Sequence, residues 1–124
     1  MSLADYDFDV AKYMYKGRHW LYVGFMCHQA IEKALKAVIA KNLPADEIPP
    51  KIHDLAKLAS RSNLFIGLTD KQKHFIEELN PLNIESRYPE YKRNIALLLT
   101  KEKCKQLIKE TGEFLSWIKT KLEK

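Results

Sequence analysis

Apolar residues recur at intervals of three and four along most of this chain, the spacing that places them on one face of an α-helix. The clearest series lies towards the C-terminal end and consists of Cys104, Leu107, Ile108, Phe114, Leu115, Ile118 and Leu122. No stretch of useful length alternates between apolar and polar residues, which is the pattern of a half-buried strand. The pattern therefore predicts an all-α protein.

Breaks in the apolar pattern divide the chain into about five predicted helices. Their predicted ranges are 5–16, 18–42, 53–63, 69–79 and a last helix that follows Thr100. Gly17 and Leu43-Pro44 end the first two helices, and the segment from Asn80-Pro81 through Pro89 is predicted to be irregular. Because the connection between the first two helices is short, we expect them to be antiparallel neighbours. The predicted fold is an antiparallel up-and-down helical bundle.

The second predicted helix is apolar on several sides, so it is the expected centre of the bundle. Gln29, Glu32, Lys33 and Lys36 interrupt its apolar surface at helical spacing. One interpretation is a polar pocket, in which Lys33 or Lys36 binds phosphate and Gln29 binds a base or the backbone. The other is a Glu32–Lys36 pair on a solvated stripe, which contributes only about 0.3 kcal/mol. Both interpretations stay open.

Two further segments carry candidate chemistry. His53 has a side chain that can act as a general acid or base, while Asp54 beside it suits the start of a helix. Arg87 and Tyr88, followed by Pro89, suit the binding of a phosphate and the stacking of a base. Alternatively, Arg87 pairs with a carboxylate of Glu32 or Glu85, and Tyr88 fills one end of the bundle. No cysteine cluster or His-Glu-x-x-His spacing is present, so no metal site is predicted.

The composition is that of one globular domain, which we expect to span residues 1–124. Hydrophobic residues make up 46% of the chain and charged residues 30%, and the formal net charge is +5. This charge permits a phosphate-bearing partner without requiring one, because solvated lysine-rich helices have the same composition. Two widely spaced cysteines, an acidic first segment and polar residues throughout 20–40 predict a cytoplasmic protein that does not enter membranes.

Three segments, taken in order, resemble the HEPN (higher eukaryotes and prokaryotes nucleotide-binding) domain family. They are QAIEKALKA at 29–37, His53-Asp54-Leu55 after a proline-containing loop, and Ser86-Arg87-Tyr88-Pro89. The resemblance extends over nearly the whole chain and implies a helical bundle that commonly dimerises. It also implies a minimal nucleotidyltransferase as partner, in a prokaryotic toxin–antitoxin-like module.

Many members of this family resemble metal-independent ribonucleases that use an Arg followed four to six residues later by a His. The chain departs from that motif, because its last histidine is His74 and Arg87 and Arg93 have no histidine after them. The leading hypothesis is therefore a binding module without a cofactor, whose expected ligand-binding residues are Gln29, Lys33, Lys36, Arg87 and Tyr88. The alternatives are a ribonuclease that uses His53 and Arg87, and a non-catalytic assembly subunit.

Overall fold

The computed structural model describes residues 2–44, 46–84 and 87–123, and within these ranges it contains six α-helices and no strand. The helices are α1 (Ser2–Lys16), α2 (Trp20–Lys41), α3 (Leu55–Arg61), α4 (Asp70–Leu79), α5 (Pro89–Leu98) and α6 (Lys101–Leu122). Two short 3₁₀ turns, Phe65–Gly67 and Asn80–Leu82, lie on either side of α4. The predicted all-α fold is confirmed. Of the described helices, none is both long enough and apolar enough to cross a bilayer.

Helix α5 is the element that the apolar pattern did not reveal, and it makes six helices where about five were predicted. Pro89 occupies its first turn, where the missing backbone N–H of proline leaves no hydrogen bond unmade. Ile95 is its single buried residue. One buried position in ten residues leaves almost no periodic signal, so the helix could not be recognised from the spacing of apolar residues.

Side-chain caps begin three of the helices, as their sequences suggest. The Asp54 carboxylate accepts from the backbone N–H of Lys57, and the Thr100 hydroxyl accepts from that of Lys103. Thr69 and Gln72 form a reciprocal capping box at the start of α4. Each cap satisfies backbone donors that the first turn of a helix leaves without partners. The cap at Asp54 therefore fixes the backbone immediately after His53.

Helix α2 is the centre of the molecule and contacts each of the other five helices. Helix α1 returns antiparallel to it through a turn at Arg18, whose φ of 60° lies in the left-handed region. Helix α6 runs parallel to α2, since the Cys104 thiol meets the Trp20 carbonyl at one end and the Lys41 ammonium meets the Leu122 carbonyl at the other. The short helices α3 to α5 bring the chain back between them. Helix α1 is therefore antiparallel to both α2 and α6.

Candidate functional site

A buried carboxylate on α2 is the centre of a polar network that joins α2 to the segment before α3. Glu32 is 5% exposed. Its carboxylate lies 3.1 Å from the Lys36 ammonium and 3.0 Å from Nδ1 of His53. Nδ1 of His28, one turn earlier on the same face, lies 3.8 Å away. A buried carboxylate needs such partners, because without them the loss of hydration would destabilise the fold.

The Glu32–Lys36 pair considered from the sequence is therefore present, but its carboxylate is buried and its ammonium is only partly exposed. It also has a third member, His53, which lies 21 positions further along the chain. Helical spacing could show the pair on one helix, whereas the contact with His53 depends on how the loop before α3 returns to α2.

One ring nitrogen of His53 is hydrogen-bonded to Glu32, and the other nitrogen can bind a ligand. An ionised carboxylate can only accept, so Nδ1 must carry the hydrogen that it donates to Glu32. In the neutral ring, Nε2 is then the acceptor. The side chain is 57% exposed and lines a surface cleft. A carboxylate that fixes the tautomer and orientation of an exposed imidazole is the arrangement that general acid–base chemistry needs.

The backbone beside His53 is tied to the end of α4 by a pair of side chains. The Asn80 side chain accepts from the backbone N–H of Leu55 at 2.9 Å and donates to the Asp54 carboxylate at 3.2 Å. Burial opposes ionisation of Asp54, but hydrogen bonds from the Lys57 N–H and from Asn80 outweigh it and lower the pKa of that carboxyl. Asp54 is thus a charged residue whose hydrogen bonds hold the backbone next to His53 in position.

Arg87 lines the same cleft. Its guanidinium stacks 4.9 Å from the centre of the Tyr91 ring, and the Tyr91 hydroxyl donates to the Pro81 carbonyl at 2.7 Å. Among the described residues, no carboxylate forms an ion pair with Arg87. Glu85, one of the partners considered for it, lies outside the described residues together with Ser86, and the other, Glu32, is bound by Lys36 and His53.

The cleft has a volume of about 460 Å³ and a lining of mixed polarity. Its walls are His53, Asp54, Glu77, Asn80, Pro81, Asn83, Arg87 and Tyr91. These residues come from the start of α3, the end of α4, the following 3₁₀ turn and the start of α5. The cleft thus offers an imidazole and a guanidinium for an anion, and two carboxylates and two amides for neutral polar groups.

The other predicted ligand-binding residues lie elsewhere. Lys33 contacts the carboxylate of Asp7 on α1, and with Lys36 it lines a separate cavity of about 340 Å³ beside α1. The side-chain oxygen of Gln29 faces Nδ1 of His28 at 3.4 Å. Tyr88 is 83% exposed and does not fill the end of the bundle. Folding therefore brings His53 and Arg87 together, and it leaves Lys33 and Tyr88 outside that cleft.

Several residues of the cleft were not singled out from the sequence. Asn80 had been noted only for ending a helix, and Tyr91 stands in the helix that the periodicity did not reveal. Glu77 was not considered. The Asn80-Pro81 pair was the one available signal, since an amide at a helix end next to a proline often bonds to neighbouring backbone.

His28 belongs to the network but not to the cleft, because its side chain is completely buried. Burial lowers the pKa of His28 below 6.5, and the nearby charge of Glu32 offsets only part of that effect. Groups of three or more potential metal ligands are absent from the described residues.

Comparison with protein families gives one match, to a model described as the HEPN domain. The match covers residues 1–121, which includes α1 to α5 and all but the last residue of α6. No curated protein and no solved structure matches the chain.

Proposed function

The chain belongs to the HEPN family, whose members are nucleotide-related proteins or ribonucleases, and on that premise we propose that its cleft binds the phosphate of a nucleotide. The observation that carries the proposal is that His53 and Arg87 line one cavity of about 460 Å³. Guanidinium groups bind phosphate oxygens through two parallel hydrogen bonds. The stacking of Arg87 on Tyr91 presents its guanidinium in a fixed plane, which favours that geometry.

The remaining lining suits the nucleoside part of such a ligand. Glu77 is an exposed carboxylate that can accept from a ribose hydroxyl or from an exocyclic amino group of a base. Asn80 and Asn83 carry amides that can both donate and accept. Cationic and hydrogen-bonding groups within one cleft fit a nucleotide better than inorganic phosphate.

The proposed partners are a second copy of the chain and a minimal nucleotidyltransferase, in a prokaryotic toxin–antitoxin-like module. Support for both comes from the family, in which this association is frequent. Within such a module, the cleft would hold the nucleotide or RNA on which the module acts. Co-expression of the chain with a neighbouring nucleotidyltransferase, followed by affinity purification of one and detection of the other, tests this partnership.

A ribonuclease is the second candidate, because the Glu32–His53 contact supplies a general base. In this mechanism Nε2 of His53 removes the proton from a ribose 2′-hydroxyl, and the 2′-oxygen attacks the adjacent phosphorus. Arg87 stabilises the added negative charge on the phosphate oxygens. The bond to the 5′-oxygen then breaks, that oxygen takes up a proton, and a 2′,3′-cyclic phosphate remains. His53 here takes the place of the family's Arg-x4-6-His histidine, which this chain lacks.

Calorimetric titration with AMP and ATP tests the binding proposal. The wild type is expected to bind, and Arg87→Ala is expected to weaken binding about tenfold, since a hydrogen bond to a charged group contributes about 1.5 kcal/mol or more. Arg93→Ala is the matched control, because Arg93 is exposed on α5 and does not line the cleft. Equal losses in both variants, or no heat with the wild type, would reject the proposal.

Incubation of the protein with RNA in EDTA separates the two candidate functions. Cleavage that ends in a cyclic phosphate and disappears in His53→Ala would establish the ribonuclease. Binding without cleavage would support the binding module and exclude the ribonuclease. If neither occurs and the chain still assembles with a partner, it is an assembly subunit and the proposed cleft function is wrong.

A further inference from the structure

One carboxylate in the lining of the cleft has no partner among the described residues. Glu77 is exposed on α4, one turn before Asn80, and it forms no hydrogen bond or ion pair with another described side chain. Although Glu77 and Arg87 line the same cavity, they do not pair with each other, so both charges remain available to a ligand. If Arg87 binds the phosphate, Glu77 is left to contact another part of the nucleotide.

The other carboxylate and amide oxygens of the cleft are already engaged or enclosed. The Asp54 carboxylate accepts from backbone N–H groups at the start of α3 and from the Asn80 amide. The side-chain oxygen of Asn80 accepts from the backbone N–H of Leu55. The side-chain oxygen of Asn83 is enclosed and out of contact with solvent. Glu77 thus carries the carboxylate that a ligand in the cleft can reach without displacing another hydrogen bond.

A carboxylate distinguishes the bases by the N–H donors that they present. Its two oxygens can accept from two parallel N–H groups at once, as they do from the fork of an arginine. Guanine has this arrangement, because its N1–H and its 2-amino group are adjacent and point the same way. Adenine and cytosine present one amino group beside a ring nitrogen that accepts, and uracil presents one N–H between two carbonyl oxygens. Of the four bases, guanine therefore fits an unpaired carboxylate best.

On the premise that the cleft binds a nucleotide, we infer that it selects guanine, with the Glu77 carboxylate bound to N1–H and the 2-amino group and Arg87 bound to the phosphate. The charge of Glu77 also sets the direction of the ligand, because a carboxylate repels a phosphate and attracts the N–H groups of the base. The cleft volume of about 460 Å³ lies within the range of pockets that hold ligands of this size.

Calorimetric titration with GMP, IMP and AMP tests the selectivity, since the three ligands share the ribose and the phosphate. GMP is expected to bind about tenfold more tightly than AMP, because a hydrogen bond to a charged group changes a binding constant by about that factor. IMP keeps N1–H but lacks the 2-amino group, so its affinity should lie between those of GMP and AMP.

Glu77→Gln tests the role of the carboxylate. A glutamine offers one acceptor and one donor, which suits adenine rather than guanine. The ratio of the GMP affinity to the AMP affinity should therefore fall about tenfold, and this ratio cancels any general effect of the lost charge on phosphate binding. Glu102→Gln is the matched control, because Glu102 is an exposed carboxylate on α6 outside the cleft and should leave the ratio unchanged.

The outcomes separate the choice of base from nucleotide binding itself. If GMP and AMP bind equally well, or if the preference for GMP survives in Glu77→Gln, the selection of guanine by Glu77 is wrong and the nucleotide site remains. If none of the three nucleotides binds, the proposed function is wrong, and the selectivity is wrong with it.

Discussion

Helix α2 takes part in two ion pairs with buried carboxylates, and the two pairs differ in what else they contact. Towards α1, Asp7 is 4% exposed and its carboxylate contacts the ammonium of Lys33. In the second pair, Glu32 is equally buried but binds both Lys36 and His53. The first pair joins one helix to another. The second holds an imidazole in the lining of a cleft that also contains a guanidinium.

Burial of a charged group therefore does not by itself mark a functional site. Both carboxylates need partners because both have lost water. Glu32 differs from Asp7 because one of its partners, His53, lines the cleft and has a second ring nitrogen that can bind a ligand. Lys33 also lines a cavity, but the one polar atom of its side chain is the nitrogen that contacts Asp7, although Lys33 was one of the residues expected to bind a ligand.

Neutralising each carboxylate is expected to give the largest effect and to separate the two pairs. Glu32→Gln should lower the free energy of unfolding by about 2 kcal/mol, because it weakens charged hydrogen bonds to Lys36 and His53. Asp7→Asn should cost about 1 kcal/mol, since it has one partner and Lys33 can turn towards solvent. Urea unfolding measures both. If the two losses were equal, Glu32 would be no more than another structural ion pair.

Ligand binding in the same two variants sharpens the difference. Glu32→Gln should weaken nucleotide binding several-fold, because His53 loses the group that orients it, while Asp7→Asn should bind like the wild type. Titration calorimetry at a temperature where both variants are folded gives the comparison. Loss of binding in Asp7→Asn alone would place the ligand on the α1 side.

The pH dependence of stability reports on the interior of the Glu32 network. Burial lowers the folded-state pKa of His28 below 6.5, so the unfolded chain takes up a proton at higher pH than the folded one. The contribution of His28 to the free energy of unfolding is therefore fully present above about pH 6.5 and is lost as the pH falls below that value.

His28→Gln removes this titration. The free energy of unfolding of this variant should therefore decrease less than that of the wild type as the pH falls below about 6.5. His19→Gln is the control, because His19 is exposed and should leave the slope of the wild type unchanged. Thermal unfolding at several pH values supplies the slopes. A His28→Gln slope equal to that of the wild type would show that another group is responsible.

The smallest effect is expected at the two cysteines, which are buried in the hydrophobic core. Burial raises the pKa of Cys27 to about 12 and that of Cys104 to about 11. Thiolates are the reactive form, so neither should react with a thiol reagent at pH 8 while the protein is folded. Both should react in urea. Rapid reaction of the native protein would mean that the core opens readily.

The sequence was sufficient for the fold class, for the central place of α2 and for the caps at Thr69 and Thr100, because these depend on local spacing and local side chains. It was not sufficient for α5, whose single buried residue, Ile95, leaves no periodic pattern. Nor did it show that α6 is parallel to α2, since that direction depends on how three short helices return the chain.

The site was predictable in its chemistry but not in its grouping. His53 and Arg87 could be named as candidates because an imidazole and a guanidinium are the side chains that phosphate chemistry uses. That they share a cleft, whereas Lys33 turns to Asp7, depends on contacts between residues far apart in the chain. Asn80 and Tyr91 were missed for the same reason.

Titration of isotope-labelled protein with AMP, followed by NMR of the histidine ring, arginine and lysine side-chain nitrogens, shows whether His53 and Arg87 bind the same ligand. The resonances of His53 and Arg87 should shift together and saturate at one AMP concentration, while those of the Lys33 ammonium and the exposed His74 ring should stay unchanged. Shifts at Lys33 without shifts at His53 and Arg87 would contradict this prediction.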